Sequence, residues 1–196
     1  MKRVLDIIFS GIGLLVLSPI LLLVSFLIKV GSKGPIFYKQ TRVGKNGKDF
    51  KILKFRTMYT GSDKKGLLTV GDRDNRVTKI GYYLRKYKLD ELPQLFNVFF
   101  GQMSLVGPRP EVRKYVDLYA EAYQEVLSVK PGITDYASIH FRNENELLKG
   151  AQDPEKMYIS EILPSKLNLN KKYVQERSLL KDFVIIMNTF KTILRD

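Results

Sequence analysis

The chain has 196 residues with no cysteine and a single histidine, His140, which allows one core but excludes a disulfide framework, a thiolate zinc site, a cysteine nucleophile and a multi-histidine metal centre. Its net charge of +13 lies wholly in the first half, since residues 1–90 hold 19 Lys and Arg against 6 Asp and Glu while residues 91–196 hold 14 of each. A field of that sign attracts nucleic acid, anionic lipid or phosphorylated small molecules, and composition leaves the three open.

Between Asp6 and Lys29 run 22 uncharged residues, IIFSGIGLLVLSPILLLVSFLI, long enough to span a bilayer. No small-x-small cleavage site follows them, which disfavours a secretory signal. Pro19 sits mid-segment, where it removes a helical hydrogen bond, clashes with the Leu15 carbonyl and bends the helix. The Ser18 hydroxyl is placed to satisfy a carbonyl freed by that bend. Basic residues flank both ends, Lys2 and Arg3 before, Lys29, Lys33 and Lys39 after, so the tendency of positive flanks to stay cytoplasmic keeps both ends on one side. About 11 residues on each side of the bend reach about 16 Å, against a hydrocarbon core of about 30 Å. These residues leave two readings, a kinked span and a re-entrant hairpin.

Residues 35–58, PIFYKQTRVGKNGKDFKILKFRTM, predict a β-hairpin: Ile36-Phe37-Tyr38 and Phe50-Lys51-Ile52-Leu53 are strand-like, and Gly44-Lys45-Asn46-Gly47 carries an Asn-Gly turn signal. Taken one at a time, most of its Lys and Arg residues fit a solvated or lipid-facing surface. Residues 61–76 read as loop. Asp72-x-Asp74 hints at a calcium loop, but the Gly and distal Glu of an EF-hand are missing. From Val77 to Lys88 the apolar positions Ile80, Leu84 and Tyr87 follow helical spacing, which puts Arg85 about one turn before Asp90 and Glu91.

An Asp-Glu pair is ordinarily a solvated acidic spot. Here it opens an apolar stretch, Leu89, Leu92, Leu95, Phe96, Phe99 and Phe100, and ends a basic run. Helical neighbours point about 100° apart, so the two acids suit different tasks. Phosphoryl transfer fits these parts: one carboxylate can attack phosphorus, a second can hold a divalent cation, and Lys54, Arg56, Arg85 and Arg109 can stabilise phosphate charge. Pro108 and Pro110 restrict the backbone on either side of Arg109 and would fix the direction of its guanidinium.

The chain resembles the bacterial sugar transferase family, the monotopic phosphoglycosyl transferases, in their minimal form. The blocks that carry the resemblance cover nearly the whole chain: Lys2-Arg3-x-x-Asp6, Ser18-Pro19, GPIFYKQTRVGKNGKDFKILKFRTM, LRKYKLDELPQLFNVFFGQMSLVGPRPE, and PGIT at 131–134. LDELPQ followed by MSLVGPRP is the most specific of them. The resemblance implies transfer of a sugar phosphate from a UDP-sugar to polyprenyl phosphate, with release of UMP. Asp90 would be the nucleophile of a covalent phosphosugar intermediate, and Glu91 its partner in holding Mg²⁺. Lys54, Arg85, Arg109 and Arg142 match basic residues near the phosphates, and Arg56 belongs to the same KFR block. The resemblance also implies a re-entrant membrane helix broken at Ser18-Pro19, with residues 1–30 forming the hairpin. Residues 31–196 would then form a catalytic domain on the cytoplasmic face of the bacterial inner membrane, in contact with membrane lipids and without nucleic acid. Many relatives continue PGIT with Gly and Trp, whereas this chain has Asp135 and Tyr136, so sugar specificity does not carry over; compact members often use an N-acetylated amino sugar.

The expected fold is mixed α/β and mainly helical, with the N-terminal helix-break-helix, one small hairpin and several amphipathic helices around a single catalytic core. Residues 111–130 and 176–194 show helical spacing, the latter expected to pack into the core rather than to lie in the membrane interface. His140 is expected to be structural, because the chemistry needs no step from it. The competing reading from another class is a basic membrane-surface or nucleic-acid-binding protein without catalysis, which explains the charge but not the Pro-Arg-Pro sequence, the acid pair or the apolar N-terminus.

Overall fold

The computed structural model describes residues 1–62 and 74–194; Asp72 of the Asp72-x-Asp74 pattern and most of the Gly-rich stretch before it lie outside those residues, whereas Asp74 lies within them and pairs with Arg76 at 2.6 Å. Two helices lead the chain, α1 (Lys2–Val16) and α2 (Ser18–Gly31), bent by 60° at the break between them. No single described helix is long and apolar enough to cross a membrane. The break has the expected local chemistry, with Pro19 in the first turn of α2 and the Ser18 hydroxyl donating to the Leu15 carbonyl at 2.8 Å.

Strands β1 (Phe37–Val43) and β2 (Asp49–Phe55) form the expected antiparallel hairpin, with Phe37 opposite Phe55 and Val43 opposite Asp49. Asn46 (φ 57°) and Gly47 (φ 71°) both adopt left-handed backbone in the connecting turn, the conformation that this dipeptide accepts readily. Helix α3 (Lys79–Lys86) starts at Thr78, whose hydroxyl accepts the Gly81 N–H at 2.9 Å. A Cβ on Gly81 would lie 2.0 Å from the Thr57 carbonyl oxygen, so glycine there lets α3 sit directly on the chain leaving β2. A single 3₁₀ turn (Leu89–Glu91), α4 (Gln94–Phe99) and the three-residue strand β3 (Ser104–Val106) follow.

Residues 111–130 depart from the expectation of one helix. They form α5 (Arg113–Val116) and a separate 3₁₀ segment (Glu121–Ser128). Val112 and Val126 both enter one buried cluster with Tyr158 and Leu163. In a continuous helix those two valines would stand about 21 Å apart along the axis, too far to share it. Strand β4 (Gly132–Thr134) then pairs in parallel with β3, a contact the spacing of apolar residues did not signal. This pairing needs the Gly107 and Gly132 backbones to touch, since a Cβ on Gly132 would fall 2.1 Å from the Gly107 nitrogen.

Helices α6 (Tyr136–His140), α7 (Glu144–Lys149) and α8 (Pro154–Met157), a π-turn (Tyr158–Ile162), α9 (Leu163–Glu176) and α10 (Leu179–Leu194) complete the chain. Helix α10 covers most of the predicted span, and one of its faces packs into the core as expected, with Ile185 and Ile186 beside Val106 and Tyr173. Asp182 and Ile185 are buried, whereas Leu180, Phe183, Val184, Met187 and Phe190, which share the opposite face, are exposed.

The α1–α2 pair is built into the body at both ends. Lys2 pairs with Asp182 of α10 and donates to the Val106 carbonyl (3.0 Å) and the Tyr173 hydroxyl (3.2 Å). Arg3 donates to the carbonyls of Val98 (2.5 Å) and Phe99 (2.8 Å) at the end of α4, and the buried Asp6 carboxylate accepts from Ser104 Oγ (3.1 Å) and the Leu105 N–H (3.0 Å). At the other end Val24 and Ile28 of α2 pack with Phe55 and Leu84.

Candidate active site

The turn that carries the acid pair is set by an unfavourable residue. Lys88 has φ 56°, a left-handed conformation uncommon for a long side chain, and it redirects the chain from α3 into the 3₁₀ turn. The two neighbouring acids consequently meet different surroundings.

Glu91 is clamped. Its Oε1 accepts from Lys54 Nζ at 3.0 Å, and both terminal nitrogens of the Arg109 guanidinium reach the same carboxylate, one to Oε2 at 3.0 Å and the other to Oε1. Lys54 comes from β2 and Arg109 from the loop after β3, so three distant segments converge on one carboxylate. Burial alone would push the Glu91 carboxyl up, but the Arg109 guanidinium and then the Lys54 ammonium outweigh it and hold the group well below the usual carboxylate range. The Glu91 charge, against burial, raises Arg109 further. Lys54 moves down, because burial outweighs the attraction of Glu91.

Asp90 is 8 % exposed and accepts no hydrogen bond from the described residues. Burial pushes its carboxyl up; Lys54 opposes that shift, the Glu91 charge adds to it, and Arg85 opposes it again. A buried carboxylate without a donor is costly to keep ionised. It is also weakly encumbered, the condition a nucleophile needs.

Arg85 ends α3 with its Nε donating to the buried Thr57 hydroxyl at 2.9 Å, which fixes the guanidinium beside the turn. Thr57 follows the KFR block directly, and its type alone did not single it out. Arg56 goes elsewhere. It is 5 % exposed, and its guanidinium donates to the carbonyls of Ser32 (2.8 Å), Ile28 (3.4 Å) and Lys33 at the end of α2. It closes the C-terminus of α2 instead of joining the cations at Glu91. Gly34, at φ 130°, makes room, since a Cβ there would lie 2.3 Å from an Arg56 nitrogen. Arg142 lies half-buried just past α6, outside the ion pairs of Glu91. His140 packs edge-on against Phe141 and takes no part in those pairs.

Among the described residues no three His, Asp or Glu side chains are grouped to hold a metal ion. The acid pair nonetheless suits Mg²⁺, which is ordinarily bound by one or two carboxylates together with substrate phosphates and waters. Among the described residues nothing donates to Asp90, and Glu91 accepts three hydrogen bonds out of about four lone-pair positions, with one on Oε2 left over.

The profile of the bacterial sugar transferase family matches residues 1–196. The chain is 44 % identical over 152 residues to the UDP-glucose:undecaprenyl-phosphate glucose-1-phosphate transferase of Klebsiella pneumoniae, which covers 76 % of this chain and 33 % of that protein. It is 39 % identical over 197 residues to the UDP-N-acetylgalactosamine-undecaprenyl-phosphate N-acetylgalactosaminephosphotransferase of Aeromonas hydrophila, covering 98 % and 43 %. It is 36 % identical over 208 residues to the exopolysaccharide production protein ExoY of Sinorhizobium fredii, covering 98 % and 84 %. The chain thus spans less than half the length of the first two proteins and most of the third. By the match along its whole length and by these relatives, the chain belongs to the bacterial sugar transferase family.

Proposed function

We propose that the protein transfers a sugar 1-phosphate from a UDP-sugar to undecaprenyl phosphate and releases UMP, through a covalent phosphosugar on Asp90. The observation that carries this reading is the contrast within one turn: Glu91 held by Lys54 and Arg109 through three hydrogen bonds, and Asp90 buried beside it with no hydrogen-bond donor among the described residues. The names of the relatives supply the substrate class, undecaprenyl phosphate and UDP-sugars.

In the first step an Asp90 carboxylate oxygen attacks the sugar-bearing phosphorus. The bond from that phosphorus to the bridging oxygen breaks, and UMP departs with the electron pair. In the second step a phosphate oxygen of undecaprenyl phosphate attacks the same phosphorus, and the Asp90 carboxylate leaves as it arrived. Arg109 and Lys54 face the transferring group with fixed positive charge, and Arg85, held by Thr57, adds to it. Glu91 orients Arg109 and Lys54 and, with Asp90, would hold Mg²⁺. When bound, that ion would supply charge neutralisation at the diphosphate.

The same body supports a membrane placement. Helices of 15 and 14 residues have lengths of about 22 and 21 Å, and a 60° bend sets the apex about 11 Å from the line joining their outer ends, well short of a hydrocarbon core of about 30 Å. Both outer ends are tied to one body, by Lys2, Arg3 and Asp6 at the start and by Arg56 at the finish. That favours a hairpin entering and leaving by the cytoplasmic face of the inner membrane over a kinked span. Leu15, Leu22 and Phe26 on the pair and Phe183 and Phe190 on α10 offer exposed apolar surface to the lipid.

Purified protein with Mg²⁺ and undecaprenyl phosphate should release UMP from one member of a UDP-sugar panel. Asp90→Asn should lose that release on the order of 10³-fold or more. Full activity of that variant would remove Asp90 from the chemistry.

A further inference from the structure

Three residues in a row, Pro108, Arg109 and Pro110, contain one backbone N–H between them, because proline has none. That N–H, on Arg109, donates to Asp135 Oδ2 at 3.0 Å. Asp135 is fully buried at 0 % exposure, and its other oxygen accepts the Ser138 N–H at 2.6 Å, capping the start of α6. Two carbonyls of the loop are also held: that of Pro108 accepts from the Gly132 N–H at 3.0 Å, and that of Pro110 accepts from Arg42 at 3.1 Å. Of these anchors, Asp135 alone bears on the residue whose guanidinium grips Glu91.

We infer that Asp135 is a positioning residue for Arg109, its buried carboxylate fixing the peptide from which the Arg109 side chain projects to Glu91 and the transferring phosphate. The inference rests on the phosphoryl-transfer reading above. Asp135 does not face the reacting atoms itself, since each of its oxygens is engaged by a backbone N–H. Its effect on the reaction therefore passes through Arg109. A guanidinium displaced by a fraction of an ångström stabilises less of the charge on the transferring group, so the loss falls on turnover more than on donor binding.

The test is a double-mutant cycle on the full-length protein, with UMP release as one readout and hydrogen exchange of the segment containing Arg109 as the other. Asp135→Ser retains an oxygen able to cap α6 and removes the reach to Arg109, which separates positioning from folding. Expected is a loss of about tenfold in kcat with KM for the UDP-sugar changed less than about twofold, and less than about twofold further loss when the same change is made in Arg109→Ala. Expected too is exchange at the Arg109 amide faster by about tenfold while α9 is unchanged. Equal losses in both backgrounds, no loss in either, or unaltered Arg109 exchange would overturn the inference. If the wild-type protein releases UMP from no UDP-sugar, the functional reading fails, and the exchange measurement still decides whether Asp135 holds Arg109.

Discussion

At the turn that carries Asp90 and Glu91, Lys54 and Arg109 close on one carboxylate, Glu91, whereas at the ends of the α1–α2 pair Arg3 and Arg56 donate to backbone carbonyls and Lys2 to a carbonyl, a hydroxyl and Asp182. Lys54 and Arg56 stand two residues apart in one sequence block and still divide between these tasks. Cations of the first kind set protonation and charge where phosphorus would react. Cations of the second kind terminate helices and fix where the bent pair leaves the body. Substitutions at the turn should therefore alter chemistry and its pH dependence, and substitutions at the helix ends should alter stability and placement.

The largest effect expected is from Asp90→Asn, a loss of UMP release on the order of 10³-fold or more with the thermal unfolding curve preserved. Glu91→Gln comes next. It leaves the half-buried Arg109 and Lys54 with a neutral partner, so stability should fall by about 2 kcal/mol in denaturant titrations and turnover on the order of 100-fold. Arg56→Ala breaks the comparison from the other side. It frees the Ile28, Ser32 and Lys33 carbonyls, and a stability loss of about 2–3 kcal/mol is expected with the acid limb of the pH profile unmoved.

Smaller still is the pH effect. Attack requires Asp90 deprotonated, and burial raises its folded-state value above the ordinary 3.8, so kcat/KM should rise through an acid limb above that figure. Glu91, held well below its usual range, stays ionised throughout that limb. Arg85→Ala removes a cation that pulls Asp90 down, so the limb should move to higher pH. A limb that moves to lower pH would show that another group titrates.

The hairpin was legible because Asn46-Gly47 asks for a left-handed turn, and the bent pair because Pro19 cannot continue a straight helix. Residue type and resemblance singled out the acid pair with Lys54, Arg85 and Arg109, and the structure brings Lys54 and Arg109 onto Glu91 and sets Arg85 on Thr57. The β3–β4 pairing was not, because strands of three residues carry too little pattern and the contact depends on two glycines 25 positions apart in sequence. The break in residues 111–130 was hidden for a related reason: Val112 and Val126 obey a helical period, and only their shared cluster with Tyr158 forbids one helix. Arg56 looked like a phosphate ligand because residue type shows charge and not direction. Asp135 registered only as an unusual residue after PGIT, since its partner, the Arg109 N–H, belongs to the backbone.

The most direct test of the central claim omits the acceptor. Protein, Mg²⁺ and a UDP-sugar labelled in the sugar-bearing phosphate, without undecaprenyl phosphate, should give up to one equivalent of UMP and a matching label on the peptide that contains Asp90, with none on Asp90→Asn. UMP release that requires undecaprenyl phosphate, with no label retained by the protein at any time, would contradict the covalent route.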